Sequence, residues 1–424
     1  MWSRTVAAVM SVALAAGVGY AAPSAKTKAA EAASLVTQGN NAFALTLYQR
    51  LQDTPNNLFF SPFSISTVLA MTHAGAKGST QKQLEQTLCF PTSAETLKKL
   101  GLTREPLTQE QFDKAFGRII KDLNKQAGRN KNELRIANAL WGQIDYEFAK
   151  PFLTIVKKQY GGAFGEVDYI TGTEDAYVAI NAWVQKATYG NIKNLVERDM
   201  LNSNTRLVLT DAIYFKGKWA SPFARAQTQE EPFTVAGGGK VQVLMMNQRA
   251  RFDYAQIDAV QLLDMPYAGD KLSMMILLPK DAGGIRRLEQ DLTVEKIPEW
   301  LGQVSRQEVI VSLPRFRMVG KLDLAAELQA MGMTDAFSRD KADFTGMVTG
   351  VKGLYVSAVV HQALIDVNEE GTEAAAATGA VMGVTSAKPE PTPVFRADHP
   401  FVFLIRDKAS GSILFLGRVM SPEA

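Results

Sequence analysis

Gly371-Thr372-Glu373-Ala374-Ala375-Ala376-Ala377-Thr378 is small-sided and nearly uncharged where a surface connection is normally polar and rich in turn residues. Read with a period of two, Thr372, Ala374, Ala376, Thr378 and Ala380 share one face, while Glu373, Ala375, Ala377, Gly379 and Val381 share the other. The single charge, Glu373, stands on the second face. Such a segment can enter a sheet as a strand, because its first face carries nothing that needs desolvation. Four consecutive alanines suit a helix or a low-complexity spacer equally well, and spacing alone leaves those readings open.

The stretch sits in a connection of about thirty residues between the strand patterns His361–Val367 and Phe401–Ile405, and loops that long inside compact domains are usually functional. Further along it, Pro389, Pro391 and Pro393 cannot donate to a strand ladder and favour an extended, solvated tether. Upstream, apolar spacing predicts helices through Phe43–Leu51, Ser64–Ala74, Gln109–Lys125, Ala176–Thr188 and Leu322–Met331. Strand patterns cover Leu134–Trp141, Leu207–Phe215, Val241–Met246, Leu272–Leu278 and Glu308–Leu313. Helices grouped early and strands grouped late, without regular alternation, predict an α+β fold.

Bulk properties narrow the function less. The chain has 424 residues, of which 46% are hydrophobic and 21% charged, so a large core is affordable. A net charge of +3 with no long block of like charge gives no reason to expect nucleic acid as a partner. Arg4, the apolar run Thr5–Val18 and the small residues Gly19 and Ala21 read as a signal peptide over residues 1–22, followed by an Ala/Lys-rich spacer over 23–34. A secreted or periplasmic protein is therefore expected, with no membrane span. Cys89 is the only cysteine, so no internal disulfide can form, and its place at a helix end reads as a small buried side chain.

Enzyme chemistry finds little to work with. The histidines are His73, His361 and His399, and there is no G-x-S-x-G, H-E-x-x-H, Walker or dinucleotide motif. His73, beside Ala74-Gly75, and His399, before Pro400, read as structural. No cofactor and no metal site is expected.

The Gly371–Thr378 stretch resembles the proximal hinge of inhibitory serpins, and Asp398-His399-Pro400-Phe401-Val402-Phe403-Leu404-Ile405 resembles that family's signature after its reactive loop. Phe60–Ile65, Ile180–Val184, Ala212–Trp219, Leu313–Phe316 and Ile413–Gly417 are similar to serpin segments in the same order, so the resemblance runs from about Leu35 to the C-terminus. It implies a single domain over 35–424 with three β-sheets, eight or nine helices and an exposed reactive loop over about 369–393. It further implies a monomer that traps a target protease as a covalent acyl complex, inserting the cleaved loop into the main sheet. Roughly ten new backbone hydrogen bonds at about 1 kcal/mol each would supply on the order of 10 kcal/mol, comparable with a domain's whole stability.

By the family's distance from Glu369 the cleaved bond is Thr385–Ser386, with Met382 or Val384 as alternative positions. A small β-branched residue there points to elastase-like or subtilisin-like serine proteases, with some cysteine proteases as further targets. The resemblance places Ser61, Ser64, Asp211 and His361 in a shutter under the main sheet, and Trp219, Arg315 and Glu369 in the breach where the loop enters. The family commonly has Asn where this chain has Asp211, which suggests either a charge-assisted pair with a protonated His361 and a pH-sensitive sheet or an ordinary satisfied buried histidine with no switching role. Arg118, Lys121 and Lys125 share a helix face that is either a weak polyanion site or a solvated surface, with Asp122 interleaved. The alternative to inhibition is a serpin serving as a carrier or chaperone. Bulky or charged hinge residues would mark that role, and Thr372–Thr378 have few.

Overall fold

Strand Leu207–Lys216 is buried along nearly its whole length, Asp211 included, as expected of a central strand covered on both faces. It lies in a five-stranded sheet whose order is Phe316–Asp323, Val356–Val367, Leu207–Lys216, Glu133–Gln143 and Ala163–Val167. The first pair is antiparallel, the second parallel, the third antiparallel and the last parallel. This is a computed structural model that describes residues 24–129, 132–350, 353–370 and 391–422. The signal-peptide reading, the hinge Gly371–Thr378, the Thr385–Ser386 bond and the alternatives Met382 and Val384 lie outside those residues.

A second, nine-stranded sheet holds Leu58–Phe60, Ile413–Val419, Phe401–Asp407, Leu272–Pro279, Val260–Pro266, Lys240–Ile257, Ser305–Pro314 and Val394–Arg396, with Gln229–Thr234 alongside Lys240–Ile257. The three expected sheets are thus two hydrogen-bonded networks, because Lys240–Ile257 runs unbroken through both halves of the larger one. It pairs with Gln229–Thr234 and Ser305–Pro314 along most of its length and with Val260–Pro266 at its end. The expected strand Val241–Met246 stops short of this length because Asn247-Gln248-Arg249 interrupts the apolar alternation.

Helix Pro62–His73 fixes the relation between the sheets. Ser61 caps it by accepting the Ser64 N–H, Pro62 occupies its first turn, and every residue is buried. Its side chains are apolar or small hydroxyls on every face apart from His73, the pattern of a helix inside a protein. It meets Ile413–Val419 of one sheet and both Leu207–Lys216 and Glu133–Gln143 of the other. Phe59 stacks on Phe403 and Phe415 at 5.9 and 5.6 Å, and Phe215 reaches Phe415 at 5.6 Å, joining the sheets through aromatic contact.

Three local expectations change. Residues 25–34 of the supposed spacer belong to helix Ala25–Leu51, capped by Ser24, because alanine and lysine are strong helix formers. The helix expected over Leu322–Met331 shrinks to Ala325–Ala330, since Leu322 and Asp323 are held in strand pairing with His361 and Val360. Ten α-helices occur among the described residues instead of eight or nine, several of them only six residues long.

Candidate functional site

The parallel pair at the middle of the five-stranded sheet is the centre of the site. Val356–Ile365 runs in register with Leu207–Phe215, with His361 directly opposite Asp211, and Asn138 opposite Asp211 on the next strand. Three adjacent strands therefore bring polar side chains into one row beneath which Ser61 and Ser64 rise from the helix start. All are buried.

The row is closed by hydrogen bonds. The Ser64 hydroxyl lies 2.5 Å from Asp211 Oδ1 and 3.1 Å from Asn138 Oδ1, while Asn138 Nδ2 donates to the Ser64 carbonyl at 3.3 Å. The Ser61 hydroxyl donates to the Leu414 carbonyl at 2.6 Å, tying the row to the other sheet. His361 Nδ1 is 3.0 Å from Asp211 Oδ2, and His361 Nε2 accepts the Ser61 backbone N–H at 3.0 Å.

That last contact corrects the expected protonated histidine. A ring nitrogen that accepts an N–H carries no proton, so His361 is the neutral tautomer with its proton on Nδ1, donated to Asp211. Protonating Nε2 would set it against the Ser61 N–H. Asp211 consequently holds a buried carboxylate through two donors, His361 and Ser64, in place of an ion pair.

Trp219, Arg315 and Glu369, expected to form the breach, lie together at the top of the same sheet. Trp219 stacks on Tyr267 at 4.6 Å and donates its indole N–H to the Asn368 carbonyl at 3.0 Å. Glu369 is only 4% exposed. Its carboxylate accepts the Thr228 hydroxyl at 2.8 Å and lies 3.4 Å from Arg315 Nε, whose side chain is 42% exposed. The Phe223 N–H donates to the Glu369 carbonyl at 3.1 Å, and Arg225 pairs with Glu370. Sequence reasoning missed Asn138, Thr228 and Arg225. Asn138 alone left a trace, as a polar residue at the centre of an apolar strand pattern.

The remaining candidates lie elsewhere. Arg118 is 3.8 Å from Asp122 on its own helix, and Lys121 and Lys125 are exposed there without forming part of the sheet site. Cys89 follows helix Gly78–Thr87 with φ 54°, is 1% exposed, and burial pushes its thiol pKa up, which disfavours a reactive thiolate. Among the described residues no group of acidic, histidine or cysteine side chains could hold a metal, and no helix is long and apolar enough to cross a membrane.

Comparison with known proteins agrees with this arrangement. The family described as "Serpin (serine protease inhibitor)" matches residues 38–422. Leukocyte elastase inhibitors of Homo sapiens and Bos taurus are 38% and 41% identical over 397 residues, covering 91% of this chain and 99% of theirs. Uncleaved ovalbumin superposes with a TM-score of 0.78 at 30% identity, over 91% of this chain and 100% of that one.

These relatives overturn the expected secreted or periplasmic location. The leukocyte elastase inhibitors are matched over 99% of their own length, which leaves no room in them for a leader like residues 1–22. The family match itself begins only at residue 38. Export is accordingly withdrawn as a property inferred for this chain. From the parallel seam, its buried polar row and a match that spans nearly the whole sequence, the chain belongs to the serpin family of serine protease inhibitors.

Proposed function

We propose that this protein is a one-use inhibitor of serine-type proteases with shallow primary pockets, elastase-like or subtilisin-like, with some cysteine proteases as further targets. The enzyme attacks the Thr385 carbonyl, the bond to Ser386 breaks, and an ester joins Thr385 to the enzyme. The freed segment Gly371–Thr378 then enters the five-stranded sheet and carries the enzyme with it.

One observation supports this reading above the others: the parallel pairing of Val356–Ile365 with Leu207–Phe215, directly preceding the loop. A chain that leaves Val367, turns back and descends between those strands would be antiparallel to both. One parallel pairing, the slightly weaker kind, would be exchanged for two antiparallel ones. The small, uncharged face of Thr372, Ala374, Ala376 and Thr378 suits passage over a buried sheet. The carrier or chaperone alternative lacks such support, and the similarity to elastase inhibitors favours an elastase-like target.

Incubation with an elastase-like protease tests the proposal. A complex that survives denaturing electrophoresis, with the cleaved inhibitor more heat-resistant than the intact chain, is expected. Complete cleavage without a complex, or a cleaved form no more heat-resistant, would refute it.

A further inference from the structure

The distal end of the reactive loop is docked by a short strand. Val394–Arg396 runs parallel to Ile310–Ser312, flanked by the Ile310 N–H on the Pro393 carbonyl and the Ala397 N–H on the Ser312 carbonyl, both at 2.9 Å. Val394 is 51% exposed, while Phe395 and Ala397 are fully buried in the core, so apolar burial anchors the middle of this segment and leaves its ends to polar contacts. Charge fastens the end of the strand. Arg396 donates through Nε to Asp398 at 2.9 Å and pairs with Glu231 on the neighbouring strand Gln229–Thr234.

His399 completes this chain of contacts. Its Nδ1 is 2.9 Å from Asp398 Oδ1 and its Nε2 is 2.7 Å from the Pro279 carbonyl oxygen. A carboxylate and a carbonyl can only accept, so both ring nitrogens must donate, and only the imidazolium has two protons to give. The charged groups around the ring are Asp398 beside it, Asp281 just after strand Leu272–Pro279, and Arg396 and Glu231 across Asp398. Burial alone would push the ring's pKa down, but the bonds to Asp398 and the Pro279 carbonyl outweigh it and carry the pKa above the ordinary histidine value. The His399 bond in turn holds the Asp398 carboxyl below its usual range.

We propose that the His399 imidazolium is a positioning residue for the reactive loop, fixing Asp398 and through it the Arg396 clamp, so that strand Val394–Arg396 stays docked while His399 is charged. The proposal rests on the inhibitory reading, in which this end must hold while the other inserts. A neutral ring can donate to Asp398 or to the Pro279 carbonyl but not to both. Because the folded-state pKa is raised, the contribution is complete below about pH 6.5, the ordinary histidine value, and is lost as pH rises through the higher folded value.

Hydrogen exchange of the full, uncleaved chain at pH 6 and pH 8.5, corrected for intrinsic rates, reads the docking of residues 391–399 directly. Protection there should fall about fivefold at the higher pH, the scale of a partly exposed ion pair, while strand Ile413–Val419 serves as the unchanged control. His399→Gln should be weakly protected at both pH values, and His399→Arg, a permanent cation, strongly protected at both. A flat wild-type profile overturns the proposal, as does a His399→Arg variant that follows the wild-type profile. Should either variant fail to fold, the wild-type profile against its control strand decides alone. In parallel, the half-life of inhibitory capacity of the uncleaved chain should shorten by a similar factor at pH 8.5. Exchange that responds while this half-life stays flat severs the latch from the loop and overturns the positioning role. Exchange that responds in a chain forming no protease complex supports the latch and refutes the inhibitory reading instead.

Discussion

Two parallel seams flank the proposed reactive loop, and they are built in opposite ways. The proximal one, Val356–Ile365 on Leu207–Phe215, is long, buried and stitched at its middle by His361, Asp211, Ser64 and Asn138. The distal one, Val394–Arg396 on Ile310–Ser312, spans three residue pairs, with Phe395 buried at its middle and partly exposed ion pairs fastening its end. Buried hydrogen bonds are costly to leave unmade, whereas exposed ion pairs contribute modestly and respond to solvent. The proximal seam is therefore closed by a barrier that must be opened from within. The distal seam is held by a fastening that the surroundings can tune.

The largest expected effect is functional and concerns what enters the proximal seam. Thr372→Arg would place a guanidinium on the small face of the hinge, where insertion demands its desolvation. The variant should be cleaved as a substrate, with moles of inhibitor consumed per mole of protease rising at least about tenfold, since one desolvated charge exceeds the 1.4 kcal/mol of a decade. An unchanged stoichiometry on titration against an elastase-like protease would break the insertion mechanism.

Next in size is the stitching itself. Asp211→Ala leaves the buried His361 Nδ1–H without an acceptor, and should cost about 2 to 3 kcal/mol of native stability in urea unfolding. It should also accelerate polymerisation, because the seam parts more readily. Asp211→Asn keeps an acceptor for His361 and removes a buried charge, so it should unfold within about 1 kcal/mol of the parent. If the Asn variant were as damaged as the Ala variant, the carboxylate charge rather than its acceptor atoms would be what holds the strands.

How far this comparison was legible beforehand differs by residue. The strands of the seam and helix Pro62–His73 are apparent in the apolar spacing, because a buried strand or helix writes its periodicity into the sequence. The state of His361 is not. Its second nitrogen is met by the Ser61 backbone N–H, a partner every residue except proline possesses, so the Asp–His pairing alone suggested a cation where the fold has a neutral ring. Thr228 was invisible for another reason: it reaches Glu369 only through a contact between segments 141 residues apart. The helical form of residues 25–34 is written in propensity and not in apolar spacing, since Ser24 and the alanines after it start a helix. His399, set aside as structural, has contacts on both ring nitrogens that only the fold supplies.

A smaller effect separates the two partners of Glu369 at the head of the proximal seam. Thr228→Val removes a hydrogen bond at 2.8 Å to a carboxylate that is almost fully buried, and should cost about 1.5 to 3 kcal/mol at any ionic strength. Arg315→Ala removes a contact at 3.4 Å from a side chain that is 42% exposed, and should cost at most about 1 kcal/mol, less again in 1 M salt. Urea midpoints at two salt concentrations distinguish them. A larger, salt-sensitive loss at Arg315 would make the ion pair, and not the Thr228 hydrogen bond, the contact that holds Glu369.

The smallest expected effect lies outside both seams, on the helix of Arg118, Lys121 and Lys125. Arg118 faces Asp122 at 3.8 Å, with both side chains about half exposed, so one cation of that face already contacts a carboxylate on its own helix. A polyanion would have to displace that contact before gaining any from Arg118, leaving Lys121 and Lys125 to bind it as two solvated point charges. Two such contacts confer weak, strongly salt-dependent affinity. Addition of heparin at 0.15 M salt should accordingly leave the rate of protease inhibition within about twofold of its value without polymer, because so few released counterions cannot hold inhibitor and enzyme on one chain. An acceleration beyond tenfold that vanished in Lys121→Ala/Lys125→Ala would show the face to be a true binding surface. It would also make the distal fastening one of two places where solvent conditions govern the loop.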